Sequence, residues 1–139
     1  MTAPSTSENG ILWLVLDEAS QATLREHITP LFEHIFCHHV TLLYGIAASD
    51  ERVAASLNTT QTIEVYALAH DDKAQAVRVK TNGLPDTYGV PHITISTGKG
   101  IEPFHSVAML QGEHTEVPLD PPLTLSGTVQ FELLSVLAG

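Results

Sequence analysis

Polar and apolar positions alternate in two short stretches that share one pattern, His39-Val40-Thr41-Leu42 and His92-Ile93-Thr94-Ile95. A period of two predicts a strand in each, with Val40, Leu42, Ile93 and Ile95 turned to a core and each His and Thr on the other face. The apolar run over residues 11–16 predicts a buried strand. From Asp17 or Ser20 onward, Leu24, Ile28, Leu31 and Phe32 recur near helical spacing, which predicts a helix that Pro30 interrupts or ends. The first His motif falls in a strand over residues 38–44, closed by Gly45. A weaker helical stretch, 50–57, leads into a strand over 62–69. Asp71-Asp72-Lys73 is a turn signal before a second alternating run, 74–80, and the two runs read as a hairpin.

Asn82-Gly83-Leu84-Pro85 breaks the chain, and the second His motif follows in a strand over 90–97 that Gly98 and Gly100 end. A short helix is expected over 103–110, a loop where Pro118 and Pro121-Pro122 fall, and a last strand or strand pair over 123–137, with Gly127 as a bulge or bend. Residues 1–10, small and polar, read as a mobile arm ahead of a single domain over 11–139. The order of elements predicts an α+β fold of antiparallel sheet with a few outer helices, each half carrying one His-x-Thr strand in a pseudo-twofold arrangement.

The 139 residues, 43% of them hydrophobic, suffice for one core and not for two ordinary domains. No apolar run is long enough to span a bilayer, the start MTAPSTSENG has no signal-type pattern, and the single Cys37 allows no internal disulfide. A reducing cytoplasm is therefore the expected setting, with no membrane partner. Six basic against sixteen acidic residues give a net charge of -10. Such a surface repels polyanions at long range, so extended nucleic-acid binding is not expected, whereas a nucleotide or one RNA terminus is compatible.

The chemistry follows from the paired motif. Histidine titrates near neutrality, so it takes or gives a proton at little cost. Two imidazoles flanking one phosphorus divide that labour: one removes the proton of an attacking water, and the other, protonated, supplies the departing oxygen. Thr41 and Thr94 would hydrogen-bond the non-bridging oxygens, where charge accumulates. The scheme requires no metal or other cofactor and predicts a bell-shaped pH dependence. His92 is read as the base and His39 as the acid, an order that the sequence does not fix. His38 shares its expected face with Val40 and Leu42, so His39 and not His38 is read as the functional ring.

Both tetrapeptides match the His-hydrophobic-Thr/Ser-hydrophobic signature, and in this the chain resembles the 2H phosphoesterase superfamily, which includes 2'-5' RNA ligase-like proteins and cyclic phosphodiesterases. The resemblance implies a bilobal fold of two antiparallel sheets with helices outside and the motifs lining the groove between lobes. It also implies metal-independent opening of a 2',3'-cyclic phosphate, on a nucleotide or an RNA end, or of a related cyclic or 2'-5' phosphodiester. The alternative is a non-catalytic nucleotide or RNA-end binding module that uses the same groove. The interval between the motifs is short, leaving little room for substrate-selecting loops.

Other chemistries fit less well. Eight histidines invite metal coordination, yet His-Glu-x-x-His, His-x-His and Cys-pair spacings are missing. His27 and His34 are expected on solvated faces and His70 near the hairpin turn; His105 and His114 have no assigned role. Lys99, between Gly98 and Gly100, is placed to approach a phosphate, but the stretch lacks Walker spacing. Tyr44, Tyr88 and Phe104 offer faces for base stacking. Cys37 lies in an apolar context without a nucleophile elbow.

Overall fold

The computed structural model describes residues 9–84 and 90–134. Among the described residues there are seven strands, β1 (Asn9–Leu16), β2 (His34–Ile35), β3 (His39–Ala47), β4 (Thr60–His70), β5 (Ala74–Lys80), β6 (His92–Thr97) and β7 (Thr115–Leu133), and three helices, α1 (Glu18–His27), α2 (Glu51–Ser56) and α3 (His105–Gln111). The expected α+β class and antiparallel sheet are observed. Asn9 and Gly10, expected in the arm, belong to β1; the rest of the expected arm, residues 1–8, lies outside the described residues, as do residues 135–139, which include the end of the last expected strand.

The strands form one sheet in the order β2-β6-β3-β1-β7-β4-β5, and a further pairing of β5 with β6 closes six of them into a barrel. The two motif strands are thus hydrogen-bonded neighbours in one wall, where the resemblance implies separate lobes. Alternation explains the interior: Leu12 and Leu14 of β1, Val40 and Leu42 of β3, Ile63 and Val65 of β4, Val77 of β5, Ile93 and Ile95 of β6, and Leu125 and Val129 of β7 fill it almost without exposure. Helix α1 adds Leu24 and Ile28 to this cluster and α2 adds Val53. Because α1 follows the C-terminal end of β1 and α2 that of its antiparallel neighbour β3, the two helices cap opposite ends. No helix among the described residues is long and apolar enough to cross a membrane.

Helix α3 does something different. It lies on the outside of the wall, where Met109 and Leu110 pack on Ala69, Ala74 and Ala76. Small side chains on the outer face of β4 and β5 let the helix approach and make a second, satellite core. The hairpin between those strands forms as expected: Asp71 Oδ1 accepts from the backbone N–H groups of Lys73 and Ala74, both at 2.8 Å, an Asx turn that reverses the chain. The other Asp71 oxygen, Oδ2, lies 2.8 Å from His105 Nε2, tying the turn to the start of α3.

Two expectations near the C-terminus need correction. Pro118 and Pro121-Pro122 do not fall in a loop between elements, because β7 runs through them. Ala67 pairs with Pro118 and Val65 with Leu123, so Leu119, Asp120, Pro121 and Pro122 together face only Tyr66. These four residues leave the ladder, and the prolines among them have no ladder hydrogen bond to donate. Gly127 is not a bulge: it pairs regularly with Leu16 on β1 and Gln61 on β4. Its requirement is close approach, since a Cβ there would lie 2.4 Å from the Val15 carbonyl oxygen.

Gly127→Ala should therefore lower stability by about 2 kcal/mol, within the range of overpacking. Gly98→Ala, whose nearest contact would be an ordinary 3.7 Å, should change it little. Urea midpoints of the two variants check this; equal midpoints would mean that β1 and β7 can separate without loss.

Candidate active site

Val40 and Ile93 are direct antiparallel partners. His39 and Thr41 flank Val40 on β3 as His92 and Thr94 flank Ile93 on β6. Val40 and Ile93 point into the barrel, which leaves the polar residues flanking them for the outer face. The four side chains line one cavity of about 340 Å³, together with Ile11 and Trp13 of β1, Tyr44 of β3, and Pro103, Phe104 and Val107 from α3 and the turn before it. Its floor is thus polar and its walls are apolar, a distribution suited to a ligand with a polar head and a flat apolar part.

The local backbone explains how His39 is presented. Residues Phe36 and Cys37 still pair along β6, donating to the carbonyls of Ile95 and Thr94. Cys37 then adopts a φ of +53°, and the register resumes only at Val40 with Ile93. Residues 38 and 39 are inserted between, so alternation fails there. The expectation that His38 faces the core with Val40 is overturned. Its ring packs against Trp13 at 5.6 Å between centroids, and its Nδ1 lies 3.2 Å from Nδ1 of His39. Trp13 also lies 4.5 Å from the His39 ring. A second irregularity, between Leu12 and Trp13 opposite Leu43 and Thr41, lets Leu42 and Leu43 both be buried while Tyr44 returns to the cavity side.

His92 is held otherwise. Its Nδ1–H donates to the Val90 carbonyl at 2.6 Å, which leaves Nε2 as the acceptor. Burial lowers its pKa below the ordinary imidazole value, and the Arg78 guanidinium adds to this against the Val90 hydrogen bond. Burial also holds the His39 pKa down at about 4, and electrostatic repulsion from the neighbouring His38 and His92 rings adds to this. Both motif imidazoles are therefore neutral at neutral pH in the free protein.

Thr41 lines the cavity, but Thr94 is already engaged. Its hydroxyl lies 3.1 Å from Ser106 Oγ and 3.3 Å from the Pro103 carbonyl, so it anchors α3 to β6. Tyr44 and Phe104 line the cavity and are 54% and 68% exposed. Lys99 is exposed beyond the far end of β6 and is not among the lining residues. Tyr88 lies outside the described residues. His27 and His34 are exposed as expected; His114 pairs with Glu116 at 2.7 Å. Among the described residues no group of three or more His, Cys, Asp or Glu is placed to hold a metal ion.

Sequence reasoning missed three participants. Trp13 sits inside an apolar run, where nothing separates a core residue from a wall residue; its Nε1 is buried without a partner among the described residues. Ser106 is fully buried under Thr94. Arg78 stands directly across from His92 on β5, with Nε 2.8 Å from Glu116 Oε1 and an Nη2 contact of 3.3 Å to the Leu110 carbonyl. An outward Arg in an alternating strand of a chain with so few basic residues was the one available signal. No protein-family model matches this sequence, and no curated protein matches it.

The depressed histidines link stability to pH. A ring neutral in the folded state and titrating near 6.5 when unfolded contributes stability that is present above 6.5 and is lost as pH falls toward the folded value. Stability should fall by up to a few kcal/mol between about pH 6.5 and about pH 4. His39→Gln should flatten that slope in thermal melts; an unchanged slope would place the titration elsewhere.

Proposed function

We propose that this cavity hydrolyses a phosphodiester without a metal ion, the preferred substrate being a 2',3'-cyclic phosphate on a nucleotide or RNA end. The single observation that carries the reading is the Val40–Ile93 pairing, which brings two His-x-Thr segments side by side on one cavity floor. The resemblance to 2H phosphoesterases, with its pseudo-twofold pair of motifs, adds to it. In the proposed reaction the Nε2 atom of His92 takes a proton from water as the water oxygen bonds to phosphorus. The bond from phosphorus to one ribose oxygen breaks, and that oxygen takes a proton from His39. Water is consumed and a phosphomonoester is the product.

The neutral resting state fits this scheme through linkage. An anionic phosphodiester between the rings favours their charged forms, so binding should draw a proton into the site. Charge developing on the non-bridging oxygens would meet the Thr41 hydroxyl and, if it turns from Ser106, that of Thr94. The apolar walls favour a ligand carrying a base, and they also support a second reading, a binding module that holds a nucleotide or RNA end without turning it over.

His39→Ala and His92→Ala should each lower turnover of a 2',3'-cyclic nucleotide by about 100-fold or more, while EDTA leaves the wild-type rate unchanged. Product chromatography with folded variants checks this. Turnover that survives either substitution would overturn the two-histidine assignment; binding without turnover in the wild type would favour the module. Ligand binding should also be tighter at pH 6 than at pH 8, with proton uptake measurable by titration calorimetry in buffers of different ionisation enthalpy.

A further inference from the structure

His38 is the polar residue of this cluster that the scheme above leaves unused. Its Nδ1 and that of His39 approach to 3.2 Å, with ring centroids 5.4 Å apart and planes at 76°. Two bare nitrogen lone pairs would repel at that distance and two N–H groups would collide, so one Nδ1 carries a proton and the other accepts it. The inserted residues after Cys37 create this approach, and Trp13 braces both rings. The groups that face His39 are Trp13 from β1, His38 on its own strand, and His92 and Thr94 from β6, with Arg78 beyond His92 on β5.

We propose that His38 is a positioning residue whose Nδ1–H donates to His39 Nδ1, so that neutral His39 keeps its proton on Nε2, the ring nitrogen left for the cavity. The opposite arrangement would give His39 a bare Nε2 in the cavity that already holds the bare Nε2 of His92, two acceptors where the scheme needs one acceptor and one donor. With His38 as donor the floor instead holds complementary tautomers, N–H on one side and lone pair on the other, without any net charge. The catalytic meaning of this rests on the phosphodiesterase reading; the tautomer assignment does not.

The same contact explains how a ring kept neutral by burial serves as an acid. When the pair takes up one further proton, the three protons occupy the two Nε2 atoms and the space between the two Nδ1 atoms. The pair holds that one charge jointly. As the His39 Nε2 proton passes to the leaving oxygen, the shared proton settles on His39 Nδ1, and both rings end neutral. His92 ends protonated by the attacking water, and exchange with solvent returns the proton to the pair.

Long-range proton–nitrogen correlation of the histidine rings in the free protein near neutral pH tests this without any substrate. The expected spectrum shows His92 as the Nδ1–H tautomer and His39 as the Nε2–H tautomer, and in His38→Ala the His39 signals move toward a tautomer mixture. His38→Asn, whose side-chain amide can donate to Nδ1, should restore the Nε2–H form, and it serves as the folded comparison if the alanine variant is unstable. In turnover, His38→Ala should lower kcat about tenfold or more with KM nearly unchanged. A wild-type His39 in the Nδ1–H form, or a His39 spectrum indifferent to His38, would overturn the proposal. Failure of turnover alone, with the tautomers as stated, would overturn the phosphodiesterase reading and leave the positioning role standing.

Discussion

The site depends on the seam where the barrel closes. Strand β6 is paired along most of its length with β5, from Ala74 with Thr97 to Arg78 with His92, but with β3 at the one registered position of Val40 and Ile93. Closing a sheet removes the exposed edges that would otherwise recruit other chains, yet it requires the strands to stagger. Here the stagger is taken up between Cys37 and Val40, where the chain leaves the β6 ladder and rejoins it after skipping two residues. That irregularity turns His38 and His39 onto one another beside Trp13. The same closure makes the two motif strands neighbours and gives their polar residues a common floor.

Around the floor the protein sets apolar walls rather than charged groups. Both motif rings are neutral, and the nearest guanidinium, that of Arg78, is tied to Glu116 and a backbone carbonyl. In an apolar cavity a hydrogen bond or a partial charge counts for more than in water, but a standing charge is expensive to keep. An arrangement of neutral donors and acceptors meets both conditions. It also suits a protein whose overall charge of -10 would repel a long polyanion.

Helix α3 couples this floor to the rest of the fold. Thr94 reaches Ser106, the helix packs over the alanines of β4 and β5, and His105 holds the hairpin turn through Asp71. The residues that wall the cavity, Phe104 and Val107, belong to the same short segment. A movement of α3 would therefore alter the apolar wall and release the Thr94 hydroxyl together.

The sequence by itself determined the strands, the hairpin at Asp71, the approximate helices and the pair of His-x-Thr faces, because alternation and turn chemistry are local properties. Helix α2 and β5 fall within a residue of where the pattern placed them. It also singled out His39, Thr41, His92 and Thr94, which share one cavity, and Tyr44 and Phe104 at its rim. Tertiary structure alone decided that the sheet closes into one barrel, that Pro118, Pro121 and Pro122 lie within a strand, and that Lys99 stands apart. It also decided that His38 turns from its expected inward face to meet His39. These follow from long-range register: which residue of one strand meets which of another, and where a ladder must skip residues to close, is set by the summed packing of all six strands and leaves no trace in local periodicity.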